Sequence, residues 1–229
     1  MAFLSVPYRS VELGLDHLVS TVDRDMYPAD EYPYGQWDYM RYFEESYEKA
    51  VAWFDADKAG AVKIFSSRVP PAPTGEIPPF ATVRKNGGMM GGLPKPPSPE
   101  DIPFELMLDK GTYEEYVAGM ERTGFGPGVA YYMNHKENHA YNSEVPNGGV
   151  LEIPILFISS THDAVCTPGK KGVITEEMRR LCKDLTVINL DANHWMMLEK
   201  PEETNAALAR FLVEKLPGEW PVSWDGAKV

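Results

Sequence analysis

The rhythm of apolar and polar positions changes three times along this chain. At the start, "AFLSVP" (residues 2–7) is a short, mostly apolar run and predicts a buried strand that ends at Pro7. Residues 35–68 take up a helical rhythm, with Trp37, Tyr42, Phe43, Tyr47, Val51 and Phe54 falling about three to four positions apart. Residues 69–103 lose periodicity. They concentrate the prolines, which number 20 in 229 residues against a typical ~5%, and they predict loop. A second helical patch runs from Thr112 or Tyr113 to Thr123 and stops at Gly124.

From Val150 strands and helices alternate. "VLEIPILFISS" and "TVINL" predict strands, "TPGKKGVITEEMRRLCKDL" contains an amphipathic helix, and "KPEETNAALARFLVEKL" is a final helix that opens at Pro201. Such alternation predicts βαβ units and a parallel sheet, so the fold class is α/β. Three regions follow: 1–34 with the first strand, 35–149 helical with a Pro-rich stretch, and 150–229 returning to α/β.

In parallel sheets the reactive groups gather at the carboxyl ends of strands. Asp163 follows "ILFISSTH" and His194 follows "VINLDAN", so both are candidates. A histidine base needs a group to orient it and a nucleophile or water to activate. Taken singly, a histidine after a strand is most often structural, and Asp163 also reads as a turn cap.

Composition narrows the classes. With 43% hydrophobic and 24% charged residues the chain is of ordinary globular type, and a net charge of −12 without a basic stripe argues against nucleic acid and anionic membrane surfaces. No apolar run reaches the ~18–20 residues of a membrane span, and the first residues lack the pattern of a secretory signal. Cys166 and Cys182 form no CxxC pair, which points to a reducing, cytoplasmic setting. Cys166 reads as a small loop residue and Cys182 as a helix core residue. His135 and His139 have the i,i+4 spacing of a metal pair, yet no third ligand is apparent and a solvated loop is the preferred reading. No cofactor or metal is expected.

The stretch "IPILFISSTHDAVCTP … LTVINLDANHWMMLEKPEETNAALARFL" resembles the C-terminal half of the soluble epoxide hydrolase family of the α/β-hydrolase fold. The resemblance implies a partial α/β-hydrolase fold: a short parallel sheet of the last strands, flanking helices and a helical, Pro-rich lid inserted at 35–149. It places Asp163 and His194 at the family's aspartate and histidine positions. "WDYMRYFEES" resembles the lid segment whose tyrosine points at the epoxide oxygen, and Tyr39 matches it. "RTGFGPGVAYYMN" resembles the segment supplying the second tyrosine, and Tyr132 matches that one. Tyr131 and Met133 stand where the family often has Trp and Arg. "NGGMMGG" becomes a lid loop whose methionines are candidates to line an apolar cavity. The implied ligand is a small apolar epoxide, opened to a diol through an alkyl-enzyme ester.

"LSVPY" looks like the strand after the nucleophile helix, so the family's nucleophilic Asp and oxyanion loop are expected upstream of these residues. The one Gly-x-Asp, "GLDHL" at Gly14 to Leu18, follows no strand and lacks the second small residue. The expectation is therefore a truncated hydrolase, inactive alone, whose first strand is an exposed edge needing an N-terminal half or a second copy to cover it. Three other readings stay open. One is a non-catalytic remnant binding an apolar ligand or a partner. Another is an Asp163–His194 pair that activates water directly, and the last a relative of haloalkane dehalogenase, which the paired tyrosines disfavour.

Overall fold

A computed structural model of the chain describes residues 1–71, 75–166 and 173–216. In chain order the elements are β1 (Ala2–Leu4), α1 (Gly14–Ser20), α2 (Asp38–Glu45), α3 (Tyr47–Asp55) and α4 (Lys58–Phe65). There follow α5 (Lys110–Thr123), α6 (Gly126–Ala130), α7 (His135–Ser143), β2 (Leu151–Ser160) and α8 (Val173–Leu181). The chain continues through β3 (Cys182–Leu190), α9 (Met196–Glu199) and α10 (Pro201–Lys215). Two compact units result, one of residues 1–12 with 140–229 and one of residues 13–139. No described helix is long and apolar enough to cross a membrane.

The first unit is built on a three-stranded parallel sheet in the order β1-β2-β3, with Phe3 opposite Phe157 and Phe157 opposite Val187. Successive side chains of a strand point to opposite faces. Leu156 and Ile158 therefore enter one core with Ala192, Met196, Ala207 and Phe211, while Ile155 and Phe157 enter another with Met178 and Cys182. This explains the unbroken run "ILFI": a strand covered on both faces has no polar face to show. Helix α10 supplies the first cover through Ala207 and Phe211, four residues apart on one stripe, and α8 supplies the second through Met178. Each large apolar side chain buried here contributes about 1.5–3 kcal/mol. Pro154 would leave a gap in a regular ladder, and the pairing shifts register between Leu151 and Pro154 to absorb it.

Two boundaries depart from the pattern of the sequence. β1 ends at Leu4, not Pro7, because Ser5 turns into the left-handed region (φ 59°) and the Val6 N–H folds back onto the Leu4 carbonyl. β3 begins at Cys182, four residues before "TVINL", so Cys182 is a strand residue and not a helix core residue. Pairing with Leu151 and burial beside Met178 outweigh the helical periodicity that runs up to it.

The second unit is helical and its core is aromatic. Tyr42, Phe43, Trp53 and Phe54 are buried with Ala50, Ala61, Val83 and Val129, and Phe54 stacks on Phe125 at 5.1 Å. The helices are short, so their ends matter. Asp57 caps α4 by accepting the Gly60 N–H at 2.8 Å, and Asp109 accepts both the Thr112 N–H and its hydroxyl. That cap starts α5 at Lys110, ahead of the expected Thr112, and Gly124 ends it at φ 66°, where a side chain would be strained. Between α2, α3 and the Pro-rich stretch a cavity of about 280 Å³ is lined by Tyr42, Trp53, Gly88 and Leu93 among others. The methionines do not line it: Met89 packs against the aromatic core and Met90 is exposed.

Candidate active site

Parallel register carries Ser160, the last residue of β2, to a position opposite Leu190, the last of β3. The two loops that follow are then laced together, Thr161 N–H to the Leu190 carbonyl and His162 N–H to the Ala192 carbonyl. Asp163 and His194 leave these loops toward each other, and His194 Nδ1 lies 2.8 Å from Asp163 Oδ2. Asp163 is only 1% exposed, and its second oxygen accepts the N–H groups of Val165 and Cys166 at 2.8 and 2.9 Å. The turn-cap reading and the orienting reading of Asp163 thus both hold, one for each oxygen.

A carboxylate beside Nδ1 can only accept, so Nδ1 carries the proton and Nε2 is the basic nitrogen. The His194 side chain keeps 26% of its surface exposed. Its backbone is fixed from two sides: Ser5 Oγ donates to the His194 carbonyl, and the Asn193 N–H donates to Glu199 Oε2 at 2.7 Å. Ser5 and Glu199 were not foreseen from the sequence; the one available signal was a serine directly after an apolar run. The Trp195 ring stands edge-on to the imidazole at 5.0 Å. A second pair, His162 Nε2 and Asp191 Oδ1 at 2.8 Å, sits beside it, but Asp191 is 86% exposed and offers no fixed orientation.

Cys166 completes the neighbourhood. Burial, with Asp163 adding to it, pushes its thiol well above the ordinary range, so at neutral pH it is a protonated thiol and no nucleophile. A ligating atom from each of Asp163, Cys166 and His194 lies within 4.8 Å of the others, the one such metal-capable group among the described residues.

In the helical unit α2 carries Tyr39, and the 3₁₀ turn Tyr131–Met133 that follows α6 carries Tyr132. Their rings meet edge to face at 5.8 Å, and both also pack on Phe43, at 5.7 and 5.2 Å. Aromatic packing accounts for their position without invoking a ligand. Tyr131 is 60% exposed. His135 and His139 lie on α7 instead of a solvated loop: His135 is buried, which lowers its pKa, and His139 Nδ1 is bonded to the Leu13 carbonyl. The helical rise puts His135 inward, which i,i+4 spacing alone did not reveal. Asp16 of "GLDHL" lies within α1 after a 3₁₀ turn and not after a strand. Among the described residues no strand runs through a small-x-Asp-x-small elbow into a helix.

A parallel sheet flanked by helices, with an Asp–His pair at consecutive strand ends and a separate helical unit, defines a partial α/β-hydrolase fold. The comparisons with known proteins agree. By sequence the chain is 28% identical over 125 residues to epoxide hydrolase A of Mycobacterium tuberculosis, covering 55% of this chain and 37% of that protein. It is 25% identical over 127 residues to bifunctional epoxide hydrolase 2 of Rattus norvegicus, of which it covers 21%. By structure it is similar to epoxide hydrolase A from Mycobacterium thermoresistibile, with TM-score 0.63, 25% identity, and coverage of 92% of this chain and 60% of that one. An epoxide hydrolase from Vigna radiata shares the fold at TM-score 0.64, covering 93% and 61%. No family model matches. The chain is therefore similar to epoxide hydrolases of the α/β-hydrolase fold, and the matches span 37% and 21% of the length of these curated relatives.

Proposed function

We propose that this chain carries the water-activating and oxygen-holding parts of epoxide hydrolysis, and that a carboxylate nucleophile comes from residues outside these 229. The observation that carries the reading is the buried Asp163 carboxylate set 2.8 Å from His194 Nδ1, which leaves Nε2 as a proton acceptor. In this scheme a carboxylate opens a small apolar epoxide to an alkyl ester. Tyr39 and Tyr132 donate their O–H groups to the departing oxygen; a phenol stays protonated near neutral pH and donates without carrying charge. His194 then takes a proton from water, the hydroxide attacks the ester carbonyl carbon, the imidazolium returns that proton to the oxygen freed by ring opening, and the diol leaves with the carboxylate and the base restored. Asp163 holds the imidazole tautomer and stabilises the imidazolium. General-base help of this kind is worth on the order of 10²–10⁴ in rate.

The helical unit is on this reading the lid, and the protein works in the cytoplasm. The partner surface is the outer edge of β1. Met1 and Ser5 bond across to β2, so the intervening Ala2 and Leu4 turn their N–H groups to the opposite edge, where a further parallel strand fits. Such a strand would come from the nucleophile-bearing hydrolase half or from a second copy of the chain.

Diol formation from styrene oxide tests the scheme, with the purified chain alone and then with the separately produced nucleophile-bearing half of epoxide hydrolase A. The expected result is background alone, turnover with the added half, and loss of that turnover in His194→Gln. Turnover by the chain alone that depends on His194 would show a nucleophile or a directly activated water within these residues. No turnover under either condition, with complex formation confirmed, would favour a non-catalytic protein that binds an apolar ligand or a partner.

A further inference from the structure

Cys166 has no part in that scheme, yet its sulfur stands with the two groups that matter most to it. Asp163 and Cys166 belong to one tight turn, closed by the Cys166 N–H donating to Asp163 Oδ1 at 2.9 Å, and the imidazole of His194 abuts the other carboxylate oxygen. Three different donor types, a carboxylate oxygen, a thiol sulfur and a ring nitrogen, therefore fall within 4.8 Å of one another. Bonds of about 2.0–2.3 Å from a tetrahedral Zn²⁺ place its ligand atoms roughly 3.3–3.6 Å apart. The widest pair has to close by about 1.5 Å at most, and the His–Asp pair has to open by somewhat more than half an ångström. Side-chain rotation supplies movements of that size.

We propose that Asp163, Cys166 and His194 form a binding site for a soft divalent cation such as Zn²⁺, with water in the fourth position. The mixed oxygen, nitrogen and sulfur set suits zinc and disfavours Mg²⁺ or Ca²⁺, which require oxygen ligands. On binding, the Cys166 S–H bond breaks, its proton passes to solvent, and the sulfur electron pair goes to the metal; the Nδ1 proton of His194 also leaves and Nε2 takes one up from solvent, so the Nδ1 lone pair is free to ligate. The dication then meets one carboxylate and one thiolate, so the buried site becomes neutral overall. That balance removes the cost that keeps the thiol protonated when no cation is present. The exposed edge of the imidazole gives the route of entry. A bound cation takes up the groups that orient and constitute the base, so it acts as an inhibitor of any reaction relying on His194. The site itself does not depend on the hydrolytic reading, because binding is measured without turnover.

Co²⁺ titrated into the purified 229-residue chain tests this directly, since a sulfur-to-cobalt charge-transfer band in the near ultraviolet reports a thiolate ligand. The expected result is one such band saturating at one equivalent and bleached by Zn²⁺. Cys166→Ser should abolish the band, and His194→Gln should weaken the apparent affinity on the order of 100-fold. Cys182→Ser and His162→Gln should leave both unchanged. In the unaltered chain, Zn²⁺ should also shift the ring ¹⁵N signals of His194 but not those of His17, which keeps the test valid if Cys166→Ser fails to fold. Absence of the band, its survival in Cys166→Ser, its loss in Cys182→Ser, or unmoved His194 signals would each overturn the proposal.

Discussion

The two units of this protein position their functional candidates by different means. In the sheet unit, backbone register does the placing: Ser160 opposite Leu190 fixes where both loops begin, and inter-loop hydrogen bonds bring Asp163 to His194. In the helical unit the described residues form one isolated bridge, Ser67 with Leu106, and no strand, and Tyr39 and Tyr132 meet because both rings fill space around Phe43. Register is a discrete choice, since a slip of one residue would send every side chain to the wrong face. Aromatic packing is graded, and its cost follows the volume removed or added. The Asp–His pair should therefore tolerate less polar change, and the tyrosine pair less change of volume.

The largest effect is expected from volume. Trp53→Ala should destabilise the helical unit by about 3–5 kcal/mol, because it opens a cavity in the aromatic core and frees the Leu93 carbonyl that accepts the indole N–H at 2.7 Å. Faster amide exchange in α2 to α4 is the readout; unchanged exchange would mean the core does not hold those helices. Next comes polarity. Asp163→Ala should cost about 2–4 kcal/mol in urea unfolding, because one buried and two part-buried donors lose their acceptor, and Asp163→Asn should cost less since one oxygen remains. Equal costs for the two would show that the remaining oxygen of Asn replaces none of these bonds.

A pH effect separates the units further. Burial depresses the pKa of His135 below its ordinary 6.5, and Nε2 of this residue has no hydrogen-bond partner among the described residues. As pH falls through 6.5 the unfolded chain takes up a proton before the folded one does, so stability is full above that pH and declines below it. Glu44 and Asp16 pull the other way and Arg41 with burial, which is why the decline should be gradual. Thermal melting from pH 8 to 5 should show this slope, and His135→Gln should flatten it. The smallest change is expected at a helix end, where Asp57→Ala removes the cap of α4 and should cost about 1 kcal/mol by urea titration.

Much of the sheet unit was legible because its chemistry follows its pattern. Continuous apolar runs marked doubly covered strands, and polar residues just beyond them marked Asp163 and His194. What escaped was set by tertiary partners. Ser5 ends β1 early to reach the His194 carbonyl, and Cys182 is drawn into β3 by Leu151 and Met178. His194 lies far from Ser5 in sequence, and Leu151 lies far from Cys182. In the helical unit the aromatic spacing was visible, but the inward turn of His135 and the capping by Asp109 depend on where each short helix starts, which a periodicity of a few residues does not fix.

The central claim, that Asp163 holds His194 with Nε2 as its basic nitrogen, is open to ¹⁵N NMR of the imidazole at pH 8. The predicted result is a protonated Nδ1 with a downfield proton signal, an unprotonated Nε2, and loss of the downfield signal in Asp163→Ala. A His194 whose proton sits on Nε2, or whose spectrum ignores the loss of Asp163, would contradict it.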